Sequence, residues 1–574
     1  MDPITFQVIQ SRLSGIVQEM QDSIFRTGYS TIIRESQDAS CMLMDPSGDV
    51  IGEHVVLPLH IACLPQCVRN IQQTFGADIR LGDAFLTNHP YLGGVPHSMD
   101  MAVITPFFHN GRLVAFCGSI AHKSDLGGVV PGTGYGNARE IFQEGIQYPP
   151  VRLISQGEIM QDIEAILRAN SRTPELVLGD IRGQVGVARL GERRLAELIE
   201  RYGLEPALEA FAMQQRVTED RIRATLRSWP DGAFEAESWV DTDGITLDKR
   251  VRYHIRIEKK GDGIVFDSTG CQDQTQGPVN IVPSLALGCY YFALIAMIDP
   301  KLPNNGGVAR VVQAKFRKGS VLDPYFPAAT NTYMAAATAI TEASLQALSG
   351  FVSEKRMAGN GGVGGITISG TTPAGKPFVQ YESVGSAYGA HAHGDGPSAV
   401  TVLLSNARIS PVEVLESEFP TRLVRFELIE DSGGPGKYRG GLVQRREYEI
   451  LTDDAQLTLR GGRHEVPAFG LAGGQPGRLG GCVLNPGMQS ERRMPSRFSG
   501  LRLKSGDRVL LERAGGGGFG GPRERSFERV LDDVIDGYVS RDAAIAEYGV
   551  DERRLDEALE RWEHRLREFA NVQR

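Results

Sequence analysis

Apolar residues recur every three to four positions near the start of the chain, over residues 4–25. This spacing predicts an amphipathic helix, with Asp2 as its N-cap and Pro3 in its first turn. Residues 41–52 instead alternate between apolar and polar side chains around a Pro-Ser-Gly sequence, which predicts a β-hairpin. A second helix is predicted over residues 65–75.

The clearest local signal is a second hairpin. Two apolar, strand-like segments, residues 101–108 and 112–120, lie on either side of Asn110 and Gly111. Asn-Gly between two such segments favours a tight two-residue turn, because both positions accept a positive φ. Pro106 is expected at a sheet edge or a bulge, because proline cannot donate a backbone hydrogen bond.

The remaining pattern predicts a multi-domain protein of mixed α+β class, with a helical middle block and a β-rich, glycine-rich C-terminal third. Residues 160–231 are rich in Arg, Glu, Ala and Leu, and turn signals recur every 8–12 residues after position 351. The predicted regions are an N-terminal α/β region with the hairpin (1–159), the helical block (160–231), a mixed α/β region (232–350), the β-rich domain (351–521) and a helical tail (522–574).

Composition narrows the function classes. The chain has 574 residues, a formal net charge of −9 and a pI of about 5.8, which argues against a nucleic-acid partner. No signal-peptide pattern is present, and the most apolar run, residues 281–298, is interrupted by proline and glycine. We therefore expect a buried helix there and a cytoplasmic protein without a membrane partner. Seven cysteines without a CxxC pair predict free thiols in a reducing compartment.

Two HxxD elements, His97-Ser-Met-Asp100 and His122-Lys-Ser-Asp125, flank the second hairpin. If the turn centres on residues 110 and 111, facing residues sum to about 221, so Asp100 opposes residue 121 and His97 opposes residue 124. The four side chains then gather at the open end of the hairpin, within two residue steps of ~3.4 Å. Such a cluster suits Zn²⁺, Mn²⁺ or Fe²⁺. The alternative is surface histidines paired with nearby aspartates.

Other candidates are weaker. Asp38 precedes a predicted strand, where it could act as a general base or merely cap a turn. His60 fits a core histidine, and the His391-Ala-His393-Gly-Asp395 segment could hold a second metal or only order its loop. No GxxxxGK[ST] motif is present, so the glycine runs are interpreted as tight turns and no nucleotide-binding residues are predicted on this chain.

Long motifs extend this interpretation. The longest are Asn88-His-Pro-Tyr-Leu-Gly-Gly-Val-Pro-His-Ser-Met-Asp100 and Ala121-His-Lys-Ser-Asp-Leu-Gly-Gly128. Shorter motifs accompany them at 2–9, 34–43, 140–145, 277–280, 406–416, 431–436, 439–442, 484–487 and 515–521. In this order, and over nearly the whole chain, they resemble the hydantoinase B/oxoprolinase family.

The resemblance implies an activity and a partner. It implies the B-type subunit of an ATP-dependent cyclic-amide hydrolase that opens hydantoin, lactam or 5-oxoproline rings. An A-type partner would bind ATP and phosphorylate the substrate oxygen, so a hetero-oligomer is expected. The alternatives are a subunit of a ketone carboxylase of the acetone or acetophenone type, and a non-catalytic scaffold for the A-type partner.

The resemblance also implies site residues. One divalent transition metal (Zn, Mn or Fe) would be bound by His97, Asp100 and His122, with Asp38 as a further ligand or general base. Residues expected around these ligands or at the substrate are His60, His89 and Asp125. Many relatives have Asp where this chain has His89, which could add a ligand or alter the choice of metal.

Overall fold

The protein, as a computed structural model, is described over residues 1–54 and 57–572. Its N-terminal region is built on a seven-stranded antiparallel sheet with the order β2-β1-β5-β4-β3-β6-β7. The strands are β1 (Ala39–Met44), β2 (Val50–Glu53), β3 (Ala84–Thr87), β4 (Asp100–His109), β5 (Arg112–His122), β6 (Val151–Ser155) and β7 (Glu158–Ile159).

Helices cover both faces of this sheet. They are α1 (Pro3–Thr27), α2 (Thr31–Arg34), α3 (Cys63–Phe75), α4 (Pro90–Gly93), α5 (Gln161–Ala169), α6 (Pro174–Tyr202) and α7 (Leu204–Ser228). Because strand side chains alternate, Cys41 and Leu43 pack towards α1 and α6 while Met42 and Met44 pack towards α3. The helices predicted over residues 4–25, 65–75 and 160–231 are confirmed, and α6 shares the core of the N-terminal sheet.

The β4–β5 hairpin turns as its sequence predicts. Asn110 and Gly111 have φ values of 50° and 76°, the pair of positive angles that a two-residue turn of this kind requires. A bulge between Phe107 and Phe108 shifts the pairing by one residue towards the open end. The predicted register is therefore wrong there: Asp100 lies opposite His122 rather than residue 121.

The middle of the chain forms a second layer. A four-stranded sheet has the order β11-β10-β9-β8, in which β10 and β11 are parallel. Its elements are β8 (Gly232–Val240), β9 (Val251–Lys260), β10 (Gly263–Asp267), α8 (Pro283–Ile298), α9 (Gly306–Val311), β11 (Val312–Lys315) and α10 (Tyr333–Leu348). The apolar run predicted as a buried helix is α8, which packs with α10 against this sheet.

The C-terminal third is β-rich, as predicted. Its strands and single short helix are β12 (Gly364–Thr371), β13 (Pro377–Val384), β14 (Ser386–Ala387), β15 (Ser398–Val400), α11 (Val412–Glu418), β16 (Thr421–Leu428), β17 (Gln444–Ile450), β18 (Ala455–Arg460), β19 (Gly481–Leu484), β20 (Arg492–Met494), β21 (Arg497–Leu503) and β22 (Arg508–Glu512). The sheets β13-β12-β18-β21 and β16-β17-β22-β19-β20 share one apolar core, so they pack as a sandwich.

The glycine run 515–521 is not a set of tight turns. Only Gly520 in it has a positive φ, of 74°. Gly516 and Gly517 instead pass so close to other backbone segments that a Cβ atom would lie 1.9 Å from the carbonyl oxygens of Tyr388 and Phe469, respectively. Glycine is needed here for close packing of extended backbone, so the prediction of turns is wrong for most of this run.

The chain ends in a small helical unit formed by α12 (Phe527–Ile535), α13 (Arg541–Ala546) and α14 (Glu552–Val572), as predicted for the tail. Its own apolar cluster includes Val530, Tyr548 and Leu555. All seven cysteines are free and buried, which confirms the prediction of free thiols. In the described part of the chain, no helix combines the length and apolarity needed to cross a membrane.

Candidate metal centre

Three adjacent strands bring their ends together at one edge of the N-terminal sheet. Asp100 begins β4 and lies opposite His122, the last residue of β5. His122 donates its backbone N–H to the carbonyl of Asp38, which immediately precedes β1, at 3.2 Å. His97 precedes β4 in a turn closed by a 3.1 Å hydrogen bond from the Asp100 N–H to the His97 carbonyl. The sheet therefore juxtaposes these four residues.

His97, Asp100 and His122 form a compact triangle of potential ligand atoms. His97 Nε2 lies 3.2 Å from His122 Nδ1 and 3.3 Å from Asp100 Oδ2, and His122 Nδ1 lies 3.3 Å from Asp100 Oδ1. Two atoms bound to one Zn²⁺ at about 2.1 Å in tetrahedral geometry are about 3.4 Å apart. The three side chains are at most 2% exposed. Their spacing thus fits a single transition-metal ion.

Electrostatics favour the protonation states that a metal requires. Burial opposes ionisation of Asp100, but its interactions with His97, His122 and His60 outweigh it and hold the Asp100 pKa well below its usual range. Burial also lowers the pKa of His122 to about 4, so its imidazole is neutral at pH 7. Asp100 Oδ2 and His122 Nε2 are buried without hydrogen-bond partners among the described residues. An anionic carboxylate and neutral imidazoles are suitable metal ligands.

A buried relay orients His97. Its Nδ1 lies 2.7 Å from Asn331 Oδ1, which also accepts a 3.2 Å hydrogen bond from Thr133 Oγ1. Because this amide oxygen only accepts, His97 Nδ1 carries the proton and the Nε2 lone pair faces Asp100 and His122. Glu144 Oε1 in turn accepts the backbone N–H groups of Thr330 and Asn331 at 2.8 Å each.

The sequence did not single out Asn331 or Glu144 as functional residues. Glu144 falls within a family-like motif, but Asn331 is 234 positions from His97 and belongs to no local pattern. Burial raises the pKa of Glu144 to about 8 despite its backbone hydrogen bonds. Asn331 and Glu144 come together behind His97 only in the folded structure.

Asp38 and His60 stand beside the triangle. Asp38 is partly buried, and its carboxylate accepts no hydrogen bond from the described residues. Burial and then the neighbouring Asp100 raise the Asp38 pKa to about 6. His60 ends a single 3₁₀ turn, Pro58–His60, and places Nε2 3.7 Å from Asp100 Oδ2 while Nδ1 lies 2.9 Å from Ser40 Oγ. His60 is therefore positioned to support Asp100.

A narrow cleft with a cavity of about 30 Å³ opens onto Asp38. Tyr333 and Tyr381 contribute to its lining and lie against the two histidines, with ring centroids 4.6 Å from His97 and 4.8 Å from His122. The lining also includes Arg460. The N-terminal sheet, the middle region and the C-terminal sandwich all contribute residues, so the cleft forms only when these regions pack together.

Asp125 and His89 lie apart from the triangle. Asp125 accepts hydrogen bonds from the backbone of Gly132 and from both the backbone and the guanidinium of Arg172, at 2.6–3.0 Å. His89 Nδ1 accepts the Tyr91 and Leu92 N–H groups at 3.2 Å and so caps α4. An aspartate can make the same cap, so the start of α4 is capped equally well by the His of this chain and by the Asp that many relatives have there.

The His391–Asp395 segment has a different arrangement. Asp395 is bound by the Arg525 guanidinium at 2.7 and 3.0 Å and by the backbone N–H of Arg439 at 2.7 Å. His391 Nδ1 accepts the His393 N–H at 3.2 Å. These contacts order the loop. Among the described side chains, only His97, Asp100 and His122 make up a three-residue group with metal-binding spacing.

Comparison with known proteins agrees with this architecture. A family model described as hydantoinase B/oxoprolinase matches residues 2–522. The chain belongs to the hydantoinase B/oxoprolinase family. A protein from Pseudomonas sp. (strain NS671), named as the B-type subunit of a D-/L-hydantoinase, is 31% identical over 565 residues, which cover 96% of this chain and 95% of that protein.

Solved structures share the fold. The ATP-dependent caprolactamase from Pseudomonas jessenii is 28% identical with a TM-score of 0.90, and the match covers 97% of this chain and 98% of the other. Nucleotide-free acetone carboxylase superposes with a TM-score of 0.86 at 19% identity, covering 99% and 84% of the two chains. The hydantoinase B/oxoprolinase fold therefore extends over essentially the whole chain.

Proposed function

We propose that this protein is the B-type subunit of an ATP-dependent hydrolase of cyclic amides, and that it works in the cytoplasm. The observation that carries the proposal is the buried His97–Asp100–His122 triangle beside Asp38, which itself lines a cleft. The names of the hydantoinase and caprolactamase relatives support the choice of cyclic amides.

His97, Asp100 and His122 would hold one divalent cation, either Zn²⁺, Mn²⁺ or Fe²⁺. Such a cation supplies Lewis acidity, which makes a water molecule more acidic and an amide carbon more electrophilic. Asn331 keeps the His97 lone pair directed at the site through its hydrogen bond to Nδ1. Asp38 accepts the proton of the attacking water, because its carboxylate has no competing hydrogen bond and its pKa of about 6 lies close to neutral pH.

A lactam or hydantoin amide is a poor electrophile because attack destroys its resonance. Phosphorylation of the carbonyl oxygen by an A-type partner would remove that obstacle and create a good leaving group. This division of labour accounts for a sequence without a phosphate-binding loop motif. It is also supported by the hydantoinase relative, whose name as one subunit implies a partner.

The test is reconstitution with the A-type partner, ATP and a panel containing hydantoin, caprolactam and 5-oxoproline. We expect ATP-dependent ring opening of at least one compound, and its loss in Asp38→Asn protein with an unchanged metal content. Because acetone carboxylase has the same fold, parallel assays use acetone as the substrate, both with and without bicarbonate. Bicarbonate-dependent consumption of acetone without ring opening would replace this proposal with a carboxylase function.

A further inference from the structure

Three buried arginines close to the metal centre lack acidic partners. Arg460 is 8% exposed, and Arg497 and Arg513 are each 1% exposed. None of the three forms an ion pair with a carboxylate in the described part of the chain. A buried charge without a partner is costly, so such a group is normally paired or binds a ligand.

Their free hydrogen-bond donors are specific atoms. Arg460 Nε, Arg497 Nε and Nη2, and Arg513 Nε and Nη2 are buried without an acceptor among the described residues. Other buried arginines of the same domain differ, because Arg463 is paired with Glu342 at 2.6 Å and Arg446 with Glu382 at 2.7 Å. Arg446 Nη2 is also without an acceptor, so it is the lack of a carboxylate partner that distinguishes the three arginines from these neighbours.

Two of these side chains reach the cleft. Arg460 and Arg497 line it together with Gly364 and Gly365. A Cβ at Gly365 would lie 2.6 Å from Arg460 Nη2, and one at Gly364 would lie 2.6 Å from Arg513 Nη1. Gly364 and Gly365 are successive residues of β12 and face opposite sides of the sheet, so Arg513 lies across β12 from Arg460 and behind the lining of the cleft.

Three acidic groups lie near these arginines. Asp241 accepts the His464 and Val466 N–H groups at 2.8 and 3.1 Å. Asp243 accepts the Ile245 and Thr246 N–H groups at 2.8 and 2.7 Å. Asp38 lines the same cleft as Arg460 and Arg497, so three carboxylates lie near the three arginines without forming an ion pair with them in the described part of the chain. Burial lowers the pKa of Arg513 to about 10, so this group still carries its charge at neutral pH.

We infer that Arg460 and Arg497 form an oxyanion subsite for a phosphoryl group, with Arg513 adding positive charge behind it. The inference rests on the proposed function in one respect, namely that the phosphoryl group arrives on a substrate activated by the partner. A tetrahedral phosphoryl group presents three oxygens and up to two charges, which suits donors converging from several guanidinium groups. A carboxylate presents only two oxygens in one plane, which a single arginine satisfies.

The subsite lies one aromatic ring away from the metal centre. The Arg460 guanidinium lies 4.8 Å from the Tyr381 ring centroid, and that ring stacks on His122 with a 4.8 Å centroid separation. This arrangement holds the leaving phosphate next to the carbon that water attacks. Asp38 lines the same cleft, so the attacking water and the leaving group both have charged residues beside them.

Inorganic phosphate is the probe, and the full-length protein is used without metal so that the result does not depend on hydrolysis. Calorimetric titration and thermal unfolding are compared for the parent, Arg460→Met and Arg460→Lys. Arg502→Met is the control, because Arg502 shares β21 with Arg497 but has a 76% exposed side chain. We expect phosphate binding to weaken at least tenfold in Arg460→Met, less in Arg460→Lys and not in Arg502→Met.

Thermal unfolding is a second readout, which distinguishes a loss of phosphate binding from a loss of folding. Without phosphate, Arg460→Met should unfold at the same temperature as the parent or higher, because it removes an unpaired buried charge, and it should no longer be stabilised by phosphate. The inference is overturned if the parent does not bind phosphate, or if the Arg460 variants bind it normally. Tighter binding of acetate or bicarbonate would identify a carboxylate site instead, and tighter binding of ATP a nucleotide site. Phosphate binding without ring opening would leave the subsite intact and overturn only the proposed function.

Discussion

Asn331→Ala removes the one acceptor that fixes the tautomer of His97. The Nδ1–Oδ1 distance is 2.7 Å and both side chains are buried. Without Asn331, the His97 proton can move to Nε2 and bond with Asp100 or His122, which lie 3.3 and 3.2 Å away. Metal binding must then break that competing arrangement. Loss of such an outer hydrogen bond typically weakens metal binding by roughly 10- to 100-fold, which corresponds to roughly 1.4–2.7 kcal/mol.

The assay is competition for Zn²⁺ between the protein and a chromophoric chelator. Asn331→Asp is the matched variant, because it keeps an oxygen opposite His97 and should retain most of the affinity. The substitution leaves the backbone N–H of residue 331 in place, so its bond to Glu144 at 2.8 Å is preserved in both variants. Equal Zn²⁺ affinities for the parent and Asn331→Ala would refute the idea that this hydrogen bond prepares His97 for a metal.

Three further predictions concern the base, the helix cap and the glycine packing. Because Asp38 must be ionised to accept a proton, kcat/KM of the reconstituted complex should fall as the pH drops below about 6. In Asp38→Asn, kcat/KM at neutral pH should be lower by about 100-fold or more, and the fall at low pH should disappear. An unchanged pH profile in this variant would eliminate Asp38 as the base. His89→Asp should keep the stability of the parent, whereas His89→Ala should lower the free energy of unfolding by about 1 kcal/mol. Elemental analysis should find the same metal content in both variants. A loss of metal would show that His89 is a ligand. Gly516→Ala forces a Cβ to 1.9 Å from the Tyr388 carbonyl oxygen and should cost about 3 kcal/mol or more in thermal unfolding, whereas Gly481→Ala, with no atom within 4 Å of its Cβ, should unfold like the parent.

Local pattern predicted the elements that local physics controls. Asp2 caps α1 by accepting the Thr5 N–H at 2.8 Å, and Asn110-Gly111 makes the hairpin turn, because each needs only a few adjacent residues. The same hairpin shows the limit of prediction from local sequence. The bulge between Phe107 and Phe108 has no distinctive local sequence, and it moved Asp100 opposite His122.

The candidate ligands were predictable because they sit at one end of one hairpin, whereas their surroundings were not. Asn331, Tyr333 and Tyr381 reach the site from distant parts of the chain, through packing that no periodicity describes. Asp125, by contrast, was expected around the ligands from its sequence motif but lies apart from them. It shares the HxxD spacing with Asp100, but the chain leaves the sheet after His122 and directs the Asp125 carboxylate to Arg172.

The proposed mechanism depends above all on His97, Asp100 and His122 binding one transition-metal ion. Elemental analysis of the purified protein, before and after reloading with Zn²⁺, Mn²⁺ or Fe²⁺, tests this binding when the parent is compared with a His97→Ala/His122→Ala variant. We expect about one metal ion per chain in the parent and almost none in the variant, because the variant loses two of the three ligands. A parent that holds no metal after reloading, or a double variant that keeps the metal, would show that these residues do not form a metal site.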